Sequence, residues 1–209
     1  MFQMFRIAIA VFVLALSPNL LTAQENPVQE NPGDVMQAFI QDVQDIWVPL
    51  NRQEGASYDS RRDWTIEVVH NRFDVPQMSR RSLGTMWRVL SPEQQAQYSD
   101  LFFDLLVETV IDWLDAYDGE VFEILSVREA GQNSEIVTQF EYANGQTLRA
   151  TWVTRAIDGV YLIRDVRVSG ISLTSDFRGR HQNALRKDDI DGLFAFLESA
   201  IDRLKAQHQ

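Results

Sequence analysis

The sequence contains no cysteine, which excludes disulfide bonds and metal sites built from thiolates. It has three histidines. His70 closes an E-x-x-H motif with Glu67, but a di-iron bundle needs two such motifs and two further carboxylates. We place His208 in a frayed tail. Ser172 stands in Gly-Ile-Ser-Leu rather than in the nucleophile elbow G-x-S-x-G, and no glycine-rich phosphate loop is present. The sequence therefore indicates no metal, no cofactor and no catalytic residue.

Positive charge is also scarce. The chain has 19 Lys and Arg against 30 Asp and Glu, a formal net charge of −11. Nucleic-acid binding needs a positive surface, so we do not expect it. Anionic lipid headgroups would repel the chain as well, which favours docking on protein partners. The one basic segment is Arg178–Arg186 with Lys187. It is interpreted as a solvated stretch before the last helix, a docking surface, or a contact for a lipid phosphate.

The only long apolar run, Ile7–Leu16, lies near the N-terminus. It follows Arg6, precedes a small residue at Ala23, and is too short to span a bilayer comfortably. We therefore predict a signal peptide over residues 1–23, with a retained anchor as the alternative. Without cysteine at the cleavage point, a bacterial lipoprotein is excluded. Residues 24–33, polar with two prolines and a glycine, are predicted to be disordered, and 34–209 to form one domain.

The segment Pro92–Leu114 predicts a helix that is apolar almost all the way round. Ser91 and Gln94 can form a capping box at its start, with Pro92 in the first turn. One narrow acidic line remains, formed by Asp100, Asp104, Glu108 and Asp112. This line either keeps one face in water or meets a basic partner. Because so apolar a helix must be covered on several sides, other helices, a sheet or a bound apolar ligand must pack against it.

Hydrophobic periodicity predicts helices before this segment and strands after it. Helical spacing runs over residues 34–50, 61–71, 76–90 and 92–119, alternation over 121–129, 134–143, 147–156 and 160–168, and helical spacing again over 189–205. Asn144-Gly145 and Asp158-Gly159 are hairpin signals. We therefore predict an α+β fold, with N-terminal helices, a four-stranded twisted antiparallel sheet and a C-terminal helix.

Three blocks of the sequence together resemble one family. They are Phe73-Asp74-Val75 with Leu83-Gly84-Thr85-Met86-Trp87; Leu90-Ser91-Pro92-Glu93-Gln94 with Phe102 and Leu105-Leu106; and Asp158-Gly159-Val160-Tyr161 through Ser169-Gly170-Ile171-Ser172-Leu173. In this order they resemble the MlaC-like proteins, also called toluene-tolerance auxiliary proteins. Ser169 and Tyr161 depart from the family pattern, where an acid and a tryptophan are usual.

The resemblance implies a sheet curled against helices around an apolar cavity. It implies a periplasmic phospholipid carrier of the Mla lipid-asymmetry pathway, with phospholipid as cargo and no cofactor. Its partners would be an inner-membrane ABC transporter complex and an outer-membrane lipoprotein–porin complex. A hopanoid-associated paralogue is the alternative within the family. The predicted lipid-binding residues are Trp87, Phe102, Leu105, Leu106, Val110, Phe140, Tyr142, Trp152 and Ile163. Arg178 and Arg180 are predicted at the cavity mouth or in docking.

Two other hypotheses come from different classes of protein. An enzyme on a similar cone-shaped fold would use Asp165 with His70 or Tyr142, since strand parity places Asp165 on an otherwise apolar face. The alternative reading of Asp165 is a buried carboxylate bonded to backbone at a strand end. A structural or assembly protein with an ordinary filled core is the third hypothesis.

Overall fold

The computed structural model describes residues 31–53, 57–117, 121–141 and 145–208. The predicted signal peptide, most of the predicted disordered segment and Tyr142 lie outside these residues. The helices are α1 (Pro32–Asp42), α2 (Val48–Arg52), α3 (Tyr58–Arg72), α4 (Val75–Leu83), α5 (Pro92–Asp115) and α6 (Leu173–His208), with a π-helical turn over Val43–Trp47 and a 3₁₀ helix over Gly84–Val89. The strands are β1 (Val121–Ala130), β2 (Asn133–Glu141), β3 (Thr147–Ile157), β4 (Val160–Val168) and β5 (Ile171–Ser172).

The start of α5 is the predicted one. The Ser91 hydroxyl accepts a hydrogen bond from the Gln94 backbone N–H, the Gln94 side chain accepts one from the Ser91 N–H, and Pro92 follows. The capping box is therefore confirmed, and it satisfies two of the backbone donors that a helix start leaves unpaired. At the other end of α5, the carbonyl of Leu114 accepts a hydrogen bond from Trp47 Nε1 at 3.0 Å.

The five strands form one antiparallel sheet in the order β1-β2-β3-β4-β5. The α+β architecture and the meander are confirmed; the structure adds a two-residue fifth strand that the sequence pattern did not reveal. Asp158 and Gly159 both have positive φ, +51° and +88°, in the turn from β3 to β4. Two successive positive φ values give the turn whose twist matches the strands, which explains the Asp-Gly pair.

A bulge in β4 changes which side chains of that strand face the helices. Opposite Thr154 lies Ile163, while opposite Val153 lies Asp165, so Arg164 is the extra residue. Because of this extra residue, Ile163 and Val166 point to the same side of the sheet, although three positions separate them. Both are buried.

Helix α6 is longer than predicted. We expected it over residues 189–205, but it begins at Leu173, and the basic stretch that we placed before it is helical. Phe177, His181 and Ala184 recur at helical spacing and are buried, but the cations between them concealed this stripe. A kink at Asp188 and Asp189 divides α6 into two halves. Next to the kink only glycine fits at position 192, since a Cβ there would lie 2.1 Å from that of Asp188.

The end of α6 is held by charged groups from α3 and α5, contrary to the frayed tail that we expected. His208 is buried, and its Nδ1 lies 2.8 Å from a carboxylate oxygen of Asp115. Arg61 donates to the other oxygen of Asp115 at 2.6 Å and to the backbone carbonyl of His208 at 2.7 Å. We call Arg61, Asp115 and His208 the clamp. Asp115 pairs with both Arg61 and His208, which lowers the cost of burying these groups, while Arg61 Nε and His208 Nε2 have no hydrogen-bond partner among the described residues.

The acidic line of α5 meets a partner from within the chain. Arg62 of α3 donates to Asp104 at 2.7 Å and to Glu108 at 3.0 Å. Glu108 is fully buried and also accepts from the Tyr58 hydroxyl at 2.8 Å. Burial and this carboxylate together raise the pKa of Tyr58. Two of the four acids therefore fix α3 against α5, while Asp100 and Asp112 are exposed.

Candidate ligand cavity

A cavity of about 900 Å³ lies between the sheet, α1, the C-terminal part of α5 and both halves of α6. Its walls are mostly apolar, and its volume is near the upper end for ligand pockets. The helical walls are Phe39, Ile40, Val43, Leu105, Thr109, Val110, Trp113, Leu114, Phe177, Ala200 and Leu204. The sheet side contributes Phe122, Phe140, Leu148, Ala150, Trp152, Val166 and Val168.

Aromatic side chains pack closely along the sheet wall. Trp152 packs edge-on against Phe39, with ring centroids 5.8 Å apart, and its Nε1 donates to Thr138 Oγ1 at 2.9 Å. Because the polar end of the indole is satisfied inside the sheet, the ring presents only apolar surface to the cavity. Phe122 and Phe140, paired across β1 and β2, meet edge-to-face at the same wall.

The rim of the cavity is polar. Asp176 and Arg180 lie one turn apart on α6 and form an ion pair at 2.8 Å, and Arg203 from the second half of α6 also lines the cavity. The other polar or exposed rim residues are Asp112, Ser169, Gln207 and Ile171. The Ile171 side chain is 69% exposed although it belongs to the lining. An apolar interior with a charged rim suits a molecule with an apolar body and a polar head.

The predicted lipid-binding residues divide into two groups. Those that line the cavity are Leu105, Val110, Phe140 and Trp152, together with Arg180 at the rim. Trp87, Phe102, Leu106 and Ile163 lie outside the lining, as does Arg178, and Tyr142 falls outside the described residues. The sheet face that lines the cavity is the aromatic one. Contact of any of these side chains with a lipid stays a prediction.

Phe102 and Leu106 are fully buried between helices instead of facing the cavity. Phe102 packs edge-on against Phe177 of α6, with centroids 5.5 Å apart. Trp87 meets Tyr98 edge-on at 6.2 Å. The N-terminal part of α5 is thus covered by α6, α4 and the 3₁₀ helix, and only the C-terminal part of α5 reaches the cavity.

Sequence reasoning missed the wall contributed by α6. Phe177, Ala200 and Leu204 line the cavity, as do Arg203 and Gln207. The apolar spacing in the second half of the helix predicted burial, but nothing in it distinguished a filled core from a cavity wall. The first half of α6 was not predicted as a helix, so the sequence analysis could not assign Phe177 to any helix face.

A buried polar chain crosses the interface of α4, α5 and α6. The Ser82 hydroxyl donates to the Ser79 carbonyl at 2.7 Å and also lies in hydrogen-bond contact with the Tyr98 hydroxyl. The Tyr98 oxygen lies 2.7 Å from His181 Nδ1. Since Ser82 has one proton and gives it to Ser79, Tyr98 donates to Ser82, and Nδ1–H of His181 donates to Tyr98.

This direction of donation leaves His181 Nε2 without a proton. Nε2 is buried and has no hydrogen-bond partner among the described residues, and Phe177 stacks on the ring at 5.7 Å. Burial, with a smaller effect of the Arg180 charge, lowers the pKa of His181 to about 4. Burial likewise raises the pKa of Tyr98, which keeps its hydroxyl protonated. At neutral pH the chain Ser82–Tyr98–His181 is therefore uncharged.

Asp165, which strand parity made a candidate catalytic carboxylate, belongs to β4, and its side chain lies against the first turn of α6. It is buried and accepts hydrogen bonds through Oδ1 from the Thr174 backbone N–H at 3.1 Å and the Thr174 hydroxyl at 2.9 Å. It does not belong to the cavity lining, and His70 is exposed. Asp165 thus satisfies a donor that the helix start leaves unpaired, with a negative charge at the favourable end of the helix.

We expect Asp165→Asn to lower the free energy of unfolding by about 1 kcal/mol, because the remaining oxygen still accepts while the charge is lost. Asp165→Ala, which removes the acceptor, should cost about 2 kcal/mol. Neither change should alter lipid content. Urea unfolding and lipid extraction measure the two quantities. A variant with native stability but no ligand would contradict this structural role.

Together, fold and cavity define a class of small α+β proteins in which a meander and its helices enclose an apolar cavity with a polar rim. The family model described as MlaC protein matches residues 37–199, and the chain belongs to this family. A similar fold occurs in a phospholipid-binding protein from Ralstonia solanacearum, whose structure was solved in complex with a phospholipid. The TM-score is 0.69 at 18% identity, over 84% of this chain and 99% of the other. Comparison with curated proteins gives no match.

Two further properties concern the described residues alone. None of their helices combines the length and apolar character that crossing a bilayer requires. Nor do their His, Asp and Glu side chains form a group of three or more with which a metal ion could be held.

Proposed function

We propose that this protein binds one phospholipid with its acyl chains in the cavity, and that it carries this lipid between membranes. The observation that supports the proposal best is the cavity of about 900 Å³, with aromatic and aliphatic walls and a rim containing Arg180 and Arg203. The match to the MlaC family and the phospholipid bound by the Ralstonia protein agree with it.

The energetics of acyl chains explain why a carrier needs such a cavity. Burying a chain of about sixteen methylenes is worth roughly 13 kcal/mol at about 0.8 kcal/mol for each CH₂. A free phospholipid therefore crosses water very slowly. A cavity that offers comparable burial lets the lipid leave a bilayer, and the transfer breaks no covalent bond.

The rim favours a phosphate-bearing lipid over a hopanoid. The guanidinium groups of Arg180 and Arg203 carry donors whose geometry matches phosphate oxygens. Arg180 is largely exposed and is balanced by Asp176, while Arg203 donates to Ser199 Oγ at 2.9 Å. Both can turn toward a ligand at small cost, because neither is buried.

The family match and the predicted signal peptide support a finer proposal. We propose that the protein works in the periplasm, receiving and delivering phospholipid between an inner-membrane ABC transporter complex and an outer-membrane lipoprotein–porin complex. Its role would be the maintenance of lipid asymmetry, without enzymatic activity.

Native mass spectrometry of the purified protein, followed by lipid extraction, tests the proposal. We expect close to one phospholipid per chain, and exchange of labelled phospholipid with vesicles. The same extract is searched for hopanoids. A protein that holds no lipid and acquires none from vesicles would refute the proposal, and a hopanoid in place of phospholipid would select the alternative within the family.

A further inference from the structure

Cations are concentrated on one surface of this acidic protein. Residues 75–92 and 177–187 contain no Asp or Glu, in a chain with a formal net charge of −11. These segments form α4, the 3₁₀ helix and the first half of α6. Their cations, apart from Arg180, form what we call the cationic face: Arg80, Arg81, Arg88, Arg178, Arg186 and Lys187.

Contacts between the two segments bring these side chains together. Arg178 Nε donates to the backbone carbonyl of Arg81 at 2.8 Å. A Cβ at Gly84 would lie 3.6 Å from the same Nε. Arg186 from α6 lines a small pocket together with Met86 from the 3₁₀ helix. The cationic face is therefore one surface rather than two separate stretches of sequence.

The charge of these cations is not balanced within the described fold, although Arg178 donates to the Arg81 carbonyl and Arg186 donates to Asn183 Oδ1. Within the ranges that the structure describes, none of the six forms an ion pair with a carboxylate, whereas Arg61, Arg62 and Arg164 are all paired. Arg80 lies over the ring of Trp87, 5.7 Å from its centroid. Arg80, Arg88, Arg186 and Lys187 are exposed. Unpaired like charges repel one another, so the face gains free energy when an anionic surface meets it.

An apolar centre lies among the cations. The small pocket has a volume of about 230 Å³ and is lined by Thr85, Met86, Gln182, Leu185 and Arg186. Val89, three residues after Met86 in the same 3₁₀ helix, is 69% exposed. The pocket is smaller than the pockets that usually bind small molecules, and its size suits one large side chain. An apolar anchor in a pocket within a charged rim is the usual anatomy of a protein interface.

We infer that the cationic face is a docking site for an acidic segment of a different protein, which inserts one large apolar side chain into the small pocket. The six unpaired cations supply the charge complementarity and the pocket supplies the anchor. A flat anionic bilayer would leave the concave pocket unfilled and would be repelled by the rest of this chain. The observations therefore favour a protein occupant.

The cationic face and the cavity mouth use different sides of the same helix. Arg178 and Arg180, two residues apart, project about 200° from each other around α6. Arg178 contacts α4, while Arg180 lines the cavity with Asp176 and Phe177. A partner on the cationic face would thus leave the mouth open for lipid. The purpose of this arrangement, though not the docking itself, rests on the proposed function.

A photocrosslinking residue at Val89, in the chain expressed in its native host, tests the inference. The probe is p-benzoylphenylalanine. We expect a crosslink to another protein, at a peptide that is net negative within about ten residues of the attachment point. The double change Arg88→Glu and Arg186→Glu should reduce this crosslink at least tenfold, as two interfacial charge contacts turn from attractive to repulsive. The matched control, Arg149→Glu with Arg155→Glu on β3, alters net charge equally and should leave the crosslink intact.

Each other outcome overturns the inference. Crosslinks to lipid alone would assign the face to a membrane, as would binding of the purified protein to phosphatidylglycerol vesicles that the charge reversal at Arg88 and Arg186 abolishes. A crosslink to a second copy of this chain would assign the face to self-association. An equal loss of the crosslink in the β3 control would show that the effect depends on net charge and not on the cationic face. Lipid content of every variant is measured separately. A protein without lipid that still crosslinks refutes the carrier function alone, and the reverse result refutes the docking site alone.

Discussion

Replacing Ala200 with tryptophan is expected to lower the phospholipid content of the purified protein at least tenfold. Ala200 lines the cavity from the second half of α6 and is half-buried. An indole at this position projects into the space proposed for acyl chains. An overpacking penalty of about 1.4 kcal/mol against the lipid, within the usual range of about 1–3 kcal/mol, already corresponds to a tenfold loss of affinity. Native mass spectrometry gives the lipid stoichiometry directly.

The matched control is Ala96→Trp. Ala96 is exposed on α5, so this change adds the same side chain to a helix without reaching the cavity. Lipid content should then remain at the wild-type value. Unfolding curves of both variants show whether the fold is retained. An Ala200→Trp protein that folds and still carries a full complement of phospholipid would place the acyl chains elsewhere.

The second expected result concerns acid. The free energy of unfolding should fall by about 2 kcal/mol between pH 7 and pH 5 through His181 alone. Its pKa is lowered to about 4 in the folded protein against about 6.5 when unfolded, so the unfolded chain binds the proton first. Stability from this group is present above pH 6.5 and is lost as the pH falls toward 4. The physical cause is burial, and Nε2 has no acceptor for an added proton among the described residues.

His181→Phe should remove this dependence while preserving the ring stacking on Phe177. Urea unfolding at pH 7 and pH 5 gives the change in the free energy of unfolding for wild type and for His181→Phe, and these two changes are compared. His70→Phe is the control. Because His70 is exposed, its replacement should leave the pH slope unchanged. An identical slope in wild type and His181→Phe would show that the buried polar chain adapts to the proton, for example by reversing the donation between Tyr98 and His181.

Local signals in the sequence predicted most of the fold. The capping box at Ser91 and Gln94, the Asp158-Gly159 turn and the alternation in the strands each depend on near neighbours along the chain. The first half of α6 escaped prediction because its buried positions are separated by cations, and one of them is a histidine. Apolar spacing predicts a helix poorly where some of the buried positions are polar, as His181 is here.

The cavity was predicted only in part for a different reason. Strand parity identified Phe140 and Trp152, which line it. The bulge at Arg164 places the side chains of Val166 and Ile163 on the same side of the sheet. It arises from the pairing of β4 with β3, so the sequence of β4 alone does not predict it. Phe102 and Leu105 belong to the same stripe of α5, yet only Leu105 reaches the cavity, because α6 covers the earlier turn. Which apolar positions meet a ligand is thus decided by tertiary packing.

The clamp has a consequence for the order of folding. The hydrogen bond from Arg61 to the His208 carbonyl joins residues 147 positions apart. Contacts so distant along the chain form late, since the intervening loop must first be ordered by nearer contacts. We therefore expect the second half of α6, which supplies Ala200 and Leu204, to join last. In that case the meander, α1 and α5 form an open groove before the cavity is closed, and loss of the clamp is expected to open the cavity along the second half of α6 first.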